Sequence, residues 1–565
     1  MILKPQKQSV TCHYVKGLIL IASVLIAGCR TGHQQPGHDD GLAAFSADSM
    51  RKHISVLASD SLYGRKPFTE GETRTIRYLE QQFVVAGLEP GNIDSYLQEV
   101  PMVNILATAD PAMLVEYEGG SFTMKAYDDY IIWTDRTDEF ISLDRTELVF
   151  AGYGVVAPEY NWNDYEGLDV NGKVVMVMIN DPGYWAGDTT MFKGETMTYY
   201  GRWTYKFEEA ARQGAKGCLI IHNKDAAGYG FIVQQNKFNN SRLQLVRTDM
   251  KTRDCEVIGW LPENIADKLF VAAGYNSGLL EKANIQGFKA VPLNLKLSTG
   301  MKVETSYNKS YNVIGKVTGS KRPEEVIIYT AHWDHLGIGK PDETGDSIYN
   351  GAFDNATATA GLLELARAFN SLKKKPERTV VFLSVTAEEQ GLLGSEYYAQ
   401  NPVYPVEKTV ANINMECLSR NIVTKDRILI GRGQSELDDY LEKELRRTGG
   451  YISDETHPEA GYFFRSDHFS FAKAGIPALY AVSGVDVIGK GREYGIEVQN
   501  EYRDKNYHRP SDEYDPETWT MEGAVEELKT LFMVGSRLAS EKKWVQWKPG
   551  SEFKAVREAT MQDVK

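Results

Sequence analysis

This chain predicts an α/β fold: a mixed, mostly parallel sheet sandwiched by helices and interrupted by an inserted β-rich module. Three observations predict it. Between Tyr311 and Ser540, short apolar runs alternate with helical segments. Val326-Ile327-Ile328-Tyr329, Val380-Val381-Phe382-Leu383 and Val410-Ala411-Asn412-Ile413 read as strands, and Thr357 to Phe369 as a helix. Strands that are apolar throughout, separated by helices, belong to a sheet covered on both faces. Ahead of them, from about Glu147, the texture changes to short β-rich runs with glycine turns. The length of 565 residues also exceeds one ordinary core, so two or more domains are expected.

The first residues read as an export signal. Lys4, Lys7 and Lys16 precede an apolar run from Gly17 to Gly28, too short to span a bilayer as a mature helix. Its end, Ile26-Ala27-Gly28-Cys29, resembles the lipobox of bacterial lipoproteins. That resemblance implies cleavage before Cys29 and acylation of its thiol, hence an exported lipoprotein on the periplasmic or cell-surface face of a membrane. The alternative is a plain signal peptide with a chance cysteine. Residues 1–28 are thus the signal and residues 29–45 a polar tether.

Residues 46–145 begin the main domain. Met50, Ile54, Val56 and Leu57 form one amphipathic stripe; Ile76, Leu79 and Phe83 form another between Glu72 and Val85, stopped by Gly87. The β-rich insert is placed at 146–300, with strands at Leu148-Val149-Phe150, Val174 to Ile179 and Cys218 to Ile221, and a helix at Lys206 to Arg212. Residues 301–545 carry the alternating pattern and 546–565 a C-terminal tail.

A net charge of −14 argues against nucleic acid as a partner. Cys218, Cys255 and Cys417, the cysteines beyond Cys29, make neither a disulfide framework nor a cysteine-based zinc site; free thiols are expected.

Ligands of open α/β sheets gather at the carboxyl ends of strands. Three such ends deliver Ala331-His332-Trp333-Asp334-His335, Thr386-Ala387-Glu388-Glu389 and Asn414-Met415-Glu416. Asp354, just before the Thr357 helix, can point into the same crevice, and His508 comes from a late loop. Imidazole and carboxylate suit Zn²⁺ where catalysis needs an open position. The count fits two ions: Asp354 bridging, His332 with Glu416 on one, Glu389 with His508 on the other. Asp334 can accept the other N–H of His332, and Glu388, spare beside a ligand, can take a proton from the attacking water. Each piece alone is more often structural: a His-x-Asp, a Glu-Glu pair opening a helix, or an N-terminal helix acid. The signal lies in five of them at successive strand ends.

The order Ala-His-x-Asp, Gly-Ala-x-Asp-Asn, Glu-Glu-x-Gly-Leu-x-Gly-Ser, a strand-end acid and Tyr-His-x-x-x-Asp resembles the co-catalytic zinc exopeptidases. These include bacterial leucyl aminopeptidases, aminopeptidase Y and glutamate carboxypeptidase. The likeness spans residues 46 to 540. Within it, Gly152-Tyr153-Gly154, Asn163-Asp164-Tyr165 and Gly214-Ala215-Lys216-Gly217 look like a protease-associated domain. The resemblance implies the zinc-exopeptidase fold, two Zn²⁺, peptide substrates and a cis bond at Asp354-Asn355. It implies an aminopeptidase that hydrolyses through a hydroxide shared by the two ions, with Glu388 as general base. One departure stands out: Glu416 occupies a position that is usually Asp, and its extra methylene changes reach by about 1 to 1.5 Å. Direct ligation is expected, with contact through water as the alternative that makes the second site looser.

His468, in Ser466-Asp467-His468-Phe469, and Tyr507 are candidate substrate contacts, a loop histidine with satisfied partners being the rival reading for His468. His335 neighbours the metals without a vacant role. His53 and His222 read as structural, and Cys417 has no histidine logic behind it as a nucleophile. Two rival functions stay open: a single-zinc glutaminyl cyclase-like acyltransferase, in which His332 and Glu416 would be surplus, and a non-catalytic peptide-binding lipoprotein.

Overall fold

In the computed structural model, residues 39–186, 189–275 and 278–562 are described. The signal read over 1–28, Cys29 and most of the tether lie outside them. The tether's last part is not extended chain: Asp39–Leu42 form a helical turn. Ser46 then opens the Ala47–Leu57 helix, accepting the Ser49 N–H at 3.2 Å, which satisfies a donor that the helix leaves unpaired. Met50, Ile54 and Leu57 face inward, as do Ile76, Leu79 and Phe83 of the Glu70–Val85 helix.

Those side chains join one core with Tyr329, Phe369, Phe382 and Phe532. Each large apolar side chain so buried contributes about 1.5–3 kcal/mol. At its centre four strands run parallel, in the order Arg378–Val385, Arg322–His332, Thr409–Asn414 and Ala478–Ser483. Val313–Val317 flank them antiparallel on one side, and Asp426–Leu429 on the other. The Thr357–Asn370 and Glu522–Ser540 helices pack within this core. The sheet is mixed and mostly parallel, as the alternation of apolar runs and helices predicts.

A second core runs from Val103 to Val303 and includes Phe150, Trp260 and Phe270. Its parallel strands are Phe140–Phe150, Val174–Met178, Gly217–His222 and Val257–Pro262. The expected boundary at residue 146 falls inside this core, because Leu97–Ala109 and Phe140–Phe150 pair along one long strand, Val291–Val317. That strand is 27 residues long and serves both cores, with an exposed polar stretch, Glu304–Lys309, between its buried halves. A polar interruption reads in sequence as a loop; here strand pairing carries the backbone across it.

The expected C-terminal tail is likewise packed. Trp547 and Phe553 are buried against Phe463 and Phe469, and Arg557 in the Lys554–Gln562 helix donates to the Thr409 carbonyl at 2.8 Å. Cys218 and Cys255 are buried free thiols and Cys417 a partly buried one.

Candidate metal centre

Strand register gathers the separated motifs. His332 pairs with Val385 across the first parallel pair, and Thr330 with Asn414 across the second, so the turns beyond these residues leave the sheet at one edge. From that edge His332, Glu388, Glu389 and Glu416 emerge together. Asp354 reaches them from the turn before the Thr357–Asn370 helix, where the Asp354-Asn355 bond is cis.

Two clusters form, sharing Asp354: His332, Asp354 and Glu416, and His335, Asp354 and Glu389. His332 Nε2 lies 3.3 Å from Asp354 Oδ1, 3.8 Å from Glu416 Oε1 and 3.9 Å from Glu388 Oε2. His508 Nε2 lies 3.3 Å from Asp354 Oδ2 and 3.1 Å from Glu389 Oε2, while His335 Nδ1 lies 2.7 Å from Glu389 Oε1. The five predicted ligands therefore converge. His335, which the sequence left without a role, stands beside them as a second imidazole on Glu389.

The fit of these residues to metal is visible in their lone pairs. His332 Nε2, both ring nitrogens of His335, Asp354 Oδ1 and Glu389 Oε1 are buried without a hydrogen bond despite their short approaches. Acceptors that converge without donors are costly unless a cation joins them, and an oxygen and imidazole set of this kind suits zinc. Burial opposes charge on Asp354 and Glu389, yet the imidazoles of His332, His508 and His335 hold the Asp354 carboxyl well below its usual range, and those of His508 and His335 hold that of Glu389 below its own. Burial likewise opposes charge on His332, but Glu388 and the other carboxylates push it well up.

Supporting contacts fix the loops. Asp512, buried, accepts the N–H groups of Phe353 and Asp354 at 3.1 Å each and the Tyr502 hydroxyl at 3.1 Å. Asn355 accepts the Cys417 N–H at 3.0 Å. Arg65, buried in the first core's margin, donates to the carbonyls of Trp333 at 2.8 Å and Gly351 at 3.0 Å. Ser466 donates to Glu416 Oε2, which steadies that carboxylate.

Asp334 acts differently from expectation. His332 Nδ1 sits 3.1 Å from the Asp334 backbone carbonyl, while the nearer carboxylate oxygen is 3.7 Å away. The carboxylate instead accepts the backbone N–H groups of Glu388 at 3.0 Å and Glu389 at 3.4 Å. The Glu388 side chain takes no part in these bonds, and its carboxyl is pushed well up by burial and by Glu416 and Glu389.

A cavity of about 1090 Å³ opens onto the centre, lined by Asp354, Glu388, Glu389, Glu416, Tyr507 and His508. Tyr507 stacks on His508 with ring centres 3.8 Å apart. His468 does not reach this cavity. It is fully buried between Phe463 and Tyr480, at 4.7 and 4.6 Å, because its helix, His468–Lys473, turns it into the core. His53 pairs with the Tyr78 hydroxyl at 2.7 Å and His222 is enclosed by Tyr229, Phe231 and Trp260, both away from the centre. The Cys417 thiol is pushed well up by burial and by Asp354 and Glu416, which disfavours a thiolate.

Residues 312–533 match the sequence profile of peptidase family M28. A glutamate carboxypeptidase 2 homologue of Caenorhabditis elegans is 36% identical over 132 residues, which are 22% of this chain and 16% of that protein. The aminopeptidase NAALADL1 of Mus musculus is 36% identical over 112 residues, 19% of this chain and 13% of that protein. The chain thus matches less than a fifth of the length of either relative. An aminopeptidase structure from Aneurinibacillus sp. strain AM-1 superposes with a TM-score of 0.49 at 20% identity, covering 91% of this chain and 96% of that one. The peptidase family M28 profile matched over residues 312–533 contains every residue of both clusters.

Proposed function

We propose that the protein is a metal-dependent exopeptidase of the aminopeptidase type, working with two zinc ions on the free amino end of peptides. The observation that carries this reading is Asp354, shared between two buried clusters of cation-ready atoms. His332 and Glu416 would hold one ion, Glu389 and His508 the other, and Asp354 both, with His335 buttressing Glu389.

When bound there, zinc supplies a Lewis acid for the scissile carbonyl and lowers the pKa of the attacking water. The chain's own residues supply the rest. The Glu388 carboxyl lines the cavity beside His332 with no hydrogen bond among the described residues, and its raised proton affinity suits it to accept a proton from water and return it to the leaving amine. Asp334 keeps Glu388 and Glu389 in their turn through their backbone N–H groups. Asp512 does the same for Asp354. The acidic wall formed by Glu388, Glu389 and Glu416 favours a protonated α-amino group over a blocked one, which is why amino-terminal action is preferred here. Tyr507 offers an aromatic face at the cavity for the terminal side chain.

The lipobox-like Ile26-Ala27-Gly28-Cys29 supports an exported protein anchored to a membrane through Cys29, meeting peptides outside the cytoplasm. The β-rich insert is read as a protease-associated domain that shapes access to the centre. Zinc-loaded protein assayed on matched free and N-acetylated peptides tests the activity: cleavage lost on acetylation is expected, and equal cleavage of both would overturn the aminopeptidase assignment.

A further inference from the structure

The edge of the first core opposite the metal centre carries a surface of a different kind. The Glu70–Val85 helix starts on the metal side, where Glu72 accepts from Ser310 and Ser310 lies 2.6 Å from the Thr386 hydroxyl, and it ends at the far edge. The Thr357–Asn370 helix runs the same way, and the two ends meet: Asn370 donates to the Ala86 carbonyl at 3.0 Å. The Arg378–Val385 strand also begins here and reaches the metal side eight residues later, about 25 Å away. Val84 and Val85, the last residues of their helix, are 60% and 76% exposed. Beside them, the turn after Asn370 presents Lys373, Lys374 and Lys375, all exposed. Lys373 pairs with Asp40 at 3.0 Å, and Glu377 is taken up by Lys321 and Arg322. Lys374 and Lys375 have no ion pair among the described residues.

The folded body also begins here. Lys373 and Ser371 both reach Asp40, the serine through its carbonyl at 3.4 Å, so the Asp39–Leu42 turn lies against the lysine turn. Ten residues of chain lead from Cys29 to Asp39, a reach of at most about 35 Å. Isolated exposed valines are ordinary. Here an apolar helix end, a lysine run and the point where the chain enters the fold coincide, on the edge facing away from the centre. Apolar side chains settle into the headgroup boundary of a bilayer, and lysines gain from anionic headgroups. A chain of net charge −14 is otherwise repelled by such headgroups, so a locally cationic edge decides which side it turns to them. We propose that this edge docks on a lipid bilayer bearing anionic headgroups, with the metal centre and its cavity turned away toward arriving peptides. The proposal rests on the reading of Cys29 as a membrane anchor and adds an orientation to it: the anchor attaches, and the edge fixes which side meets the lipid.

The test compares the zinc-loaded full chain in nonionic detergent and on vesicles of phosphatidylcholine with or without phosphatidylglycerol. An amine-directed reagent marks accessible lysines, read by mass spectrometry of fragments. On the mixed vesicles, Lys373, Lys374 and Lys375 should react about 5-fold or more slowly than in detergent, and phosphatidylcholine alone should slow them less. Lys302, an exposed lysine of the long strand beside the second core, is the internal reference and should not change. Val84→Asp combined with Val85→Asp should abolish the slowing while hydrolysis of a soluble peptide in detergent stays at the wild-type rate. Equal reactivity in detergent and on mixed vesicles, or slowing that survives in the double variant, overturns the docking edge. The mass of the amino-terminal fragment reports acylation separately. An unmodified Cys29 would sink the anchor reading, while slowing of the three lysines on mixed vesicles would still sustain the edge.

Discussion

The Asp334 carboxylate accepts the backbone N–H of Glu388 at 3.0 Å, tying the residue two beyond His332 to the residue proposed to move the proton. Strand register makes this contact possible, because His332 and Val385 end side by side. Since the Asp334 main-chain carbonyl holds the imidazole, replacing the side chain should loosen the Glu388-Glu389 turn more than the His332 ring. Asp334→Asn is expected to lower kcat/KM by about 10–100-fold, the usual cost of losing a contact behind a ligand. Metal analysis beside kinetics checks it: zinc content should fall less than in His332→Ala.

Glu388 is spared from ligation in this account. Glu388→Gln keeps the shape and removes the proton acceptor, so kcat should fall by at least about 10²-fold with bound zinc at the wild-type level. Rapid turnover in the metal-replete variant would remove Glu388 from the role.

Glu416 depends on its neighbour. Ser466 donates to one carboxylate oxygen, leaving the other toward His332. Ser466→Ala should therefore free Glu416 and weaken the His332 site by about 10-fold or more in zinc affinity, read by chelator competition. The effect should be confined to one of the two ions, because among the described residues the Ser466 hydroxyl bonds to Glu416 and Asn414 and to no member of the Glu389 cluster.

Gly351 sits at φ 54°, and a Cβ there would lie 2.2 Å from the Asp354 carbonyl oxygen and 2.5 Å from the His335 ring. Gly351→Ala should cost at least about 1 kcal/mol in backbone strain alone, measured by denaturant unfolding of the metal-free protein. Zinc affinity should fall as well, since the collision pushes on the bridging turn.

Much of this centre was legible because a parallel sheet brings strand ends into register, so His332, Glu389 and Glu416 needed only three apolar runs to be placed together. Asp354 and His508 followed from their loops and from the resemblance of motif order. His335 was not legible: one turn past the strand, its direction is set by packing, with Gly351 beneath its ring and Arg65 accepting its N–H at 3.4 Å through the main chain. Arg65 itself is a lone arginine in a polar stretch, and nothing local marks it as the clamp on the Trp333 and Gly351 carbonyls. Asp334 was assigned through its side chain to the His332 ring, whereas its main-chain carbonyl lies nearer that ring and its carboxylate takes the Glu388 and Glu389 N–H groups; spacing does not distinguish a side-chain acceptor from the carbonyl of the same residue. His468 misled for a similar reason: its neighbours in sequence sit near the centre while helix phase turns the ring into the core. In the fold, the polar middle of Val291–Val317 concealed the strand that joins both cores, and with it the earlier start of the second one.

The central claim is that two ions share Asp354. Anomalous diffraction at the zinc edge from crystals of the zinc-loaded protein tests it most directly. Two peaks flanking the Asp354 carboxylate, about 3.5–4 Å apart, are predicted. A single peak, or two that leave Asp354 outside their coordination, would contradict it.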